Sequence, residues 1–133
     1  MKKLIIPLLC LMAVLVGCTP KTEKAAAVAN DFLTDFFNMN YEGAASLCTD
    51  EIAVALRDTI AADAYPSEEI RAKVVEASRN TTFKIVSSDV DEETGDVVID
   101  YEIRPYGAVG DGVISRTMRL SRLEGDWKIV ALE

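Results

Sequence analysis

In the stretch DVVIDYEIR, from Asp96 to Arg104, apolar and polar residues alternate from Ile99 onward, and Val97 continues the apolar set. Successive side chains of a β-strand point to opposite faces, so four apolar side chains share one face: Val97, Ile99, Tyr101 and Ile103. The acidic and basic residues between them share the other face. This stretch therefore predicts a strand with one face on an apolar core and the other in water.

Three more strands are predicted around this one, at residues 82–89, 112–122 and 126–132. Residues 91–95 are acidic and end in glycine, and residues 105–112 hold three glycines and a proline, so both segments predict turns or loops. Glu124-Gly125 predicts a tight hairpin. In the last strand, Trp127, Ile129 and Ala131 share a face. The pattern indicates an antiparallel meander of about four strands.

Before Asn80 the apolar period changes from 2 to about 3.6, which predicts helices. The first covers residues 22–38 and carries the apolar stripe Val28, Phe32, Leu33, Phe36 and Phe37. Two shorter helices follow, at residues 41–48 and from Thr49 or Asp50 to Ala62. Ser67 is the expected cap of the last helix, which has the inward stripe Ile70, Val74 and Ala77. Helices followed by strands indicate an α+β fold with the helices packed on a curved antiparallel sheet.

The N-terminal segment has a basic start, Lys2 and Lys3, and an apolar run from Leu4 to Val16. The run is shorter than the roughly 20 residues that a membrane-spanning helix needs. This combination is typical of a secretory signal peptide, and an ordinary secretory signal followed by a chance cysteine is one interpretation.

The run ends in Leu15-Val16-Gly17-Cys18, which resembles the lipobox of bacterial lipoproteins. The resemblance implies cleavage before Cys18, with Leu15, Val16 and Gly17 recognised by the signal peptidase, and lipid attached to the Cys18 thiol. It divides the chain into a signal peptide (1–17), a lipidated cysteine with a short tether (18–24) and a single domain (25–133). We expect a Gram-negative cell-envelope protein on the periplasmic face of the outer membrane.

Composition excludes several kinds of chemistry. The 133-residue chain has no histidine, which excludes histidine bases, histidine triads and most zinc sites. The formal charge is −8, and becomes −10 once Lys2 and Lys3 are removed. Because an acidic surface repels phosphates, we expect no nucleic acid partner.

Few residues qualify as catalytic or metal-binding candidates. Asp100 and Tyr101 have suitable acid–base chemistry, but as neighbours in a strand they point to opposite faces. The acidic turn at 89–96 has carboxylates for calcium but lacks EF-hand spacing, so a solvated hairpin is favoured. Cys48 lies on an apolar stripe and is expected to be a core residue. Asp58-Thr59-Ile60 resembles a bacterial O-glycosylation motif with Thr59 as the acceptor, but the motif is short and falls within a predicted helix, so a chance match is favoured.

Three arginines lie close together near the C-terminus, Arg116, Arg119 and Arg122. They could form an anion-binding patch. In a strand, however, Arg116 and Arg122 share a face that Arg119 opposes. We therefore expect pairing with neighbouring acids rather than one cluster.

Two segments resemble the cystatin-like, nuclear transport factor 2-like superfamily: NYEGAASLC at 40–48 and EGDWKIV at 124–130. The resemblance implies a curved sheet wrapped round the long first helix to form a cone. Some members bind or transform small molecules in the cone, and others dimerise through the outer sheet face. No catalytic residue of the superfamily matches a position here. An aromatic pocket would consist of Phe32, Phe36, Tyr101 and Trp127, although Tyr101 and Trp127 are favoured as core residues.

These observations predict a non-enzymatic binding or interaction module, held at the membrane by the lipid on Cys18. The alternatives are a small-molecule carrier that uses the cone and, less favoured, a hydrolase or isomerase. No cofactor or metal is expected. The expected partners are an unknown small molecule or envelope protein, and a second copy bound through the sheet face.

Overall fold

The computed structural model describes residues 20–61, 67–107 and 112–133, in which four helices precede four strands. The elements are α1 (Pro20–Phe37), α2 (Tyr41–Ser46), α3 (Asp50–Ala61), α4 (Glu68–Asn80), β1 (Thr82–Val90), β2 (Val97–Arg104), β3 (Ile114–Leu123) and β4 (Asp126–Leu132). The predicted α+β fold is confirmed, with N-terminal helices packed on a four-stranded antiparallel sheet. None of the helices in these ranges combines the length and apolar character needed to cross a bilayer.

Helix α1 begins at Pro20, two residues before the predicted start. Proline suits the first turn of a helix, because the N–H that it lacks would have no partner there. Residues 20–24, which the sequence assigned to the tether, are therefore helical. The helix ends at Phe37. Met39 then adopts a positive φ of 62°, which lies outside the range of a right-handed helix.

Helix α2 is capped by Asn40, whose side-chain oxygen accepts a hydrogen bond from the Gly43 N–H at 3.2 Å. The helix ends at Ser46, short of the predicted Cys48. The physical reason is a competing contact: the Leu47 carbonyl accepts from the Ile129 N–H at 2.9 Å. The Thr49 N–H in turn donates to the Ile129 carbonyl at 3.0 Å. Residues 47–49 thus cover part of the outer edge of β4, which would otherwise be unpaired.

The sheet is an antiparallel meander in the order β1-β2-β3-β4. Ile99 faces Met118, and Val97 faces Leu120, so the predicted apolar face of β2 is confirmed. Glu124 and Gly125 have φ values of 53° and 89°. Two positive φ values in a two-residue connection characterise the tight hairpin turn that matches strand twist, as the sequence predicts.

Two strands contain a β-bulge. In β1 the register shifts between Ile85 and Ser87, which leaves Val86 without a partner and 56% exposed. In β4, Ile129 pairs with Leu120 and Ala131 with Arg119, so an extra residue lies between them. The prediction that Ala131 shares the face of Trp127 and Ile129 is therefore wrong, because the bulge shifts it to the face of Arg119. A bulge bends its strand and increases the local twist. These bulges curve the two outer strands of the sheet.

The core lies between α1 and the inner face of the sheet. Helix α1 contacts β1, β2 and β4, and its buried stripe is Ala25, Ala29, Phe32 and Leu33. The sheet contributes the core residues Val97, Ile99, Tyr101, Met118, Leu120, Trp127 and Ile129. No buried polar or charged residue occurs among the described residues. The core thus forms by apolar burial.

Helix α4 departs from the sequence-based expectation. Its predicted inward stripe is wrong, because α4 buries no residue and Ile70 and Val74 are 43% and 36% exposed. Its C-terminal end is joined to α1, where the Ser78 hydroxyl donates to the Phe37 carbonyl at 2.8 Å. Helix α4 stays exposed because α1 already covers the inner face of the sheet.

The difference in burial between β2 and α4 can be tested by replacing one isoleucine in each element with alanine. Ile99 is fully buried, so Ile99→Ala is expected to lower the free energy of unfolding by about 2–5 kcal/mol through lost burial and a cavity. Ile70→Ala is expected to lower it by less than about 1 kcal/mol, because the exposed side chain buries little area. Urea unfolding of both variants measures the effect. Equal losses would show that α4 belongs to the core.

Candidate functional site

Cys18 and the residues predicted to direct its processing, Leu15, Val16 and Gly17, lie outside the described residues. The described chain starts two residues after Cys18, with the first turn of α1. The membrane-facing end of the domain in the lipoprotein hypothesis is therefore the N-terminal end of α1.

The predicted aromatic pocket residues lie in the core. Phe32, Tyr101 and Trp127 belong to one core cluster and are 3%, 6% and 8% exposed. Phe36 packs against that cluster, with its ring centroid 6.0 Å from Phe32 and 5.6 Å from Tyr41. The side chains contact one another and the core, which favours a filled interior over an open one.

A hollow of about 400 Å³ lies at the N-terminal end of α1, and we call it the anchor-side hollow. Three parts of the chain form it: the first turns of α1, the connection between β1 and β2, and the hairpin between β3 and β4. Its lining residues are Lys21, Lys24, Thr94, Gly95, Asp96, Arg122 and Trp127.

The alternation of side chains along β3 places Arg122 beside this hollow. Arg122 pairs with Trp127 in the β3–β4 register and follows Met118 and Leu120 on the inner face. Met118 and Leu120 are buried, whereas Arg122, one step further along this face, is exposed. A cation therefore occupies an inward-facing position at the end of the sheet.

Lys21 lies over the indole, with its Nζ 6.0 Å from the centroid of the Trp127 ring, at the limit of a cation–π contact. Gly95 makes room for this lysine. Its φ is +79°, and a Cβ atom there would lie 3.3 Å from the Lys21 Nζ. Glycine adopts this φ without the strain that an L side chain would bring. The β1–β2 connection therefore passes close to the first turn of α1.

The charges in the anchor-side hollow are unbalanced. Within the described ranges, the side chains of Lys24 and Arg122 have no hydrogen bond or ion pair. The carboxylate that lines the hollow, Asp96, instead accepts from the Ser121 hydroxyl at 2.6 Å and the Arg119 guanidinium at 3.3 Å. The hollow therefore presents three cations to solvent on a chain of net charge −8.

Arg119 holds the acidic turn together from the outer face. Its Nη1 contacts Asp91 Oδ2 at 3.0 Å and Asp96 Oδ2 at 3.3 Å. The hydrogen bond from Arg119, aided by the Glu93 N–H, holds the pKa of Asp91 below its usual value, and the same contact raises the pKa of Arg119. The expected pairing with neighbouring acids is confirmed for Arg119 alone of the three arginines: within the described residues Arg122 has no ion pair, and Arg116 donates to the Ser115 carbonyl at 2.9 Å. Across the described ranges no three acidic or cysteine residues are grouped to hold a metal ion.

Asp100 and Tyr101 lie on opposite faces of the sheet, as predicted. The Asp100 carboxylate accepts from the Thr117 hydroxyl at 2.8 Å and the Ser87 hydroxyl at 3.1 Å on the outer face. Tyr101 is buried on the inner face, and this burial raises its pKa, partly offset by the charge of Arg116. The two groups cannot act on one substrate.

Cys48 is buried beside α2, and its Sγ donates to the Ala44 carbonyl at 3.5 Å. Burial raises its pKa to about 11, although the charge of Lys128 opposes that shift. The prediction of a core residue is confirmed. Thr59 falls within α3, and its side chain lies outside the described part of the structure.

Compared with protein-family models and with curated proteins, the chain shows no match. The functional argument therefore depends on the residues themselves. From the sequence we did not predict that Lys21, Lys24 and Arg122 lie together. One available signal was the predicted shared face of Arg116 and Arg122, which the register confirms and which places Arg122 on the inner face of the sheet.

The Asp91–Arg119 contact predicts a pH dependence. A carboxylate with a lowered folded-state pKa stabilises the fold above its unfolded pKa, near about 3.9, and this contribution is lost as pH falls through the folded pKa. Asp91→Asn cannot titrate, so its stability is expected to fall less steeply between about pH 5 and 3 than that of the wild type. Urea unfolding at several pH values measures this. The exposed turn residue Glu92→Gln is the control, and equal slopes for wild type and Asp91→Asn would contradict the assignment.

The buried Cys48 predicts an unreactive thiol. With a pKa of about 11, on the order of one molecule in a thousand carries the thiolate at pH 8. A chain of residues 19–133, in which Cys48 is the single cysteine, is expected to resist a thiol reagent when folded and to react fully in guanidinium. Rapid stoichiometric labelling of the folded chain would show that the thiol is accessible.

Proposed function

We propose that this chain is a bacterial envelope lipoprotein, cleaved before Cys18 and anchored through lipid on that cysteine. The observation that carries the proposal is the position of Cys18: it ends the lipobox-like Leu15-Val16-Gly17-Cys18 and stands two residues before α1. Several acyl chains on one residue anchor a protein stably, since each buried CH₂ contributes about 0.8 kcal/mol. The preferred location is the periplasmic face of the outer membrane.

The position of the described core is compatible with processing before Cys18. Its residues run from Ala25 to Ile129, and the proposed cleavage leaves all of them in the chain. Because the helix starts at Pro20, the link from the lipid to the folded domain is short. The anchor then restricts which end of the domain faces the membrane.

We also propose that the domain is a cone of the cystatin-like, nuclear transport factor 2-like kind. The long helix α1 packed across the sheet supports this, as do the bulges in β1 and β4 that bend its outer strands. The proposal concerns shape alone, because folds of this kind serve many functions.

A non-enzymatic binding or interaction role fits the described residues best. The chain has no histidine, Asp100 is held by two hydroxyls, and Tyr101 is buried on the opposite face. These groups do not converge on a common point, as a general acid and base must. The aromatic side chains proposed for a carrier pocket are packed in the core, which makes the carrier role the weaker alternative.

A homodimer through the outer sheet face is a further proposal. That face carries polar groups such as Asp100, Thr117 and Arg119, so the interface would be polar. Interfaces of this composition resemble transient contacts more than permanent ones.

Palmitate labelling in a Gram-negative host tests the anchor. Wild-type chain is expected to incorporate labelled palmitate, and Cys18→Ser is expected to lose it, because the acceptor thiol is gone. Cys10→Ser and Cys48→Ser are matched controls that remove the other two cysteines and should keep the label. Label retained by Cys18→Ser would refute the proposal.

A further inference from the structure

The anchor-side hollow lies where the domain would meet the membrane. Two residue steps separate Cys18 from Pro20, at most about 7 Å of chain. Lys24 lies four residues further along α1, about 6 Å at the helical rise. A domain anchored at Cys18 therefore holds this hollow within reach of the lipid headgroups.

The charge of the hollow is opposite to that of the rest of the domain. Lys21, Lys24 and Arg122 line it, whereas the chain after cleavage carries a net charge of −10, the −8 of the full chain less Lys2 and Lys3. Screening limits the influence of distant acids to about 8 Å at physiological salt. The lining itself contains three cations and one carboxylate, Asp96. The neighbouring Asp96 is bound to Arg119 and Ser121.

The chemistry of the lining suits a phosphate group. Lysine and arginine donate charge-assisted hydrogen bonds to phosphate oxygens, and arginine can do so with two N–H groups at once. Tryptophan and tyrosine are enriched at the headgroup level of membranes, where one part of the ring is apolar and the other wet. Trp127 lines the hollow beside the Lys21 ammonium.

We propose that the anchor-side hollow binds the headgroup phosphate of an anionic phospholipid in the membrane that holds the anchor. The choice of a lipid as the source of the phosphate rests on the proposed lipid anchor. The anchor supplies attachment, and the hollow orients the domain by turning its cationic end to the bilayer and its acidic remainder away.

The test uses the lipid-free chain of residues 19–133, which contains the whole described core. Vesicles of phosphatidylcholine mixed with phosphatidylglycerol are titrated into it, with pure phosphatidylcholine vesicles as the neutral comparison. Trp127 is the single tryptophan, so its fluorescence reports directly on the hollow, and co-sedimentation reports on binding. We expect a fluorescence change and sedimentation with the anionic vesicles, both reduced by added salt.

Matched variants separate the hollow from general charge. Lys24→Gln and Arg122→Gln are each expected to weaken vesicle binding about fivefold, the usual contribution of one cation near an anionic bilayer. Lys84→Gln and Arg104→Gln remove the same charge from exposed positions on the outer face of β1 and β2 and should bind as wild type does. Equal weakening by both pairs, or none by either, would overturn the proposal.

Inorganic phosphate is tested as a separate ligand, to distinguish a site for a soluble anion from a site for a lipid headgroup. If it changes Trp127 fluorescence while anionic vesicles do not bind, the hollow is a site for a soluble anion and the lipid proposal is wrong. An absence of response to vesicles and phosphate alike would also refute it. Because this chain carries no lipid, either result leaves palmitate labelling at Cys18 to decide separately whether the anchor exists.

Discussion

The packing of α1 across the inner face of the sheet is the contact on which the rest of the structure depends. Ala25 and Ala29 are fully buried, and their small side chains allow the helix backbone to approach the strands closely. Phe32 and Leu33 then fill the space beside Ile99 and the other buried sheet residues. Burial of this apolar area is the main favourable contribution to folding, and no buried polar group opposes it in the described residues.

The contact between α1 and the sheet has a limited length, and inner-face residues beyond its two ends are exposed. The inner-face row of β3 contains the buried Met118 and Leu120 and continues to Arg116 on one side and Arg122 on the other, where both side chains are exposed. Charged residues are tolerated at these two positions because they keep their contact with water. At the Arg122 end the first turn of α1 adds two lysines, and the anchor-side hollow results.

The same packing affects the ionisation of two side chains in the described core. Cys48 and Tyr101 are buried among apolar side chains, and burial disfavours the charged form of each. The polar side chains of the outer face are engaged with one another, as in the pairing of Arg119 with Asp91 and Asp96.

The sequence by itself determined the fold class, the existence of every described helix and strand, and the inward face of β2, because these follow from local periodicity and turn chemistry. It also determined that Asp100 and Tyr101 are separated, since neighbouring residues in a strand point apart. Only the tertiary structure decided that the apolar stripe with Ile70 and Val74 is exposed, where α2 ends, and that α1 brings Lys21 and Lys24 to Arg122. A helical period of apolar residues indicates that one face of a helix can be buried. Which surface of the protein buries that face depends on competition among distant segments of the chain. In this chain α1 occupies the inner face of the sheet, so α4 has no place there.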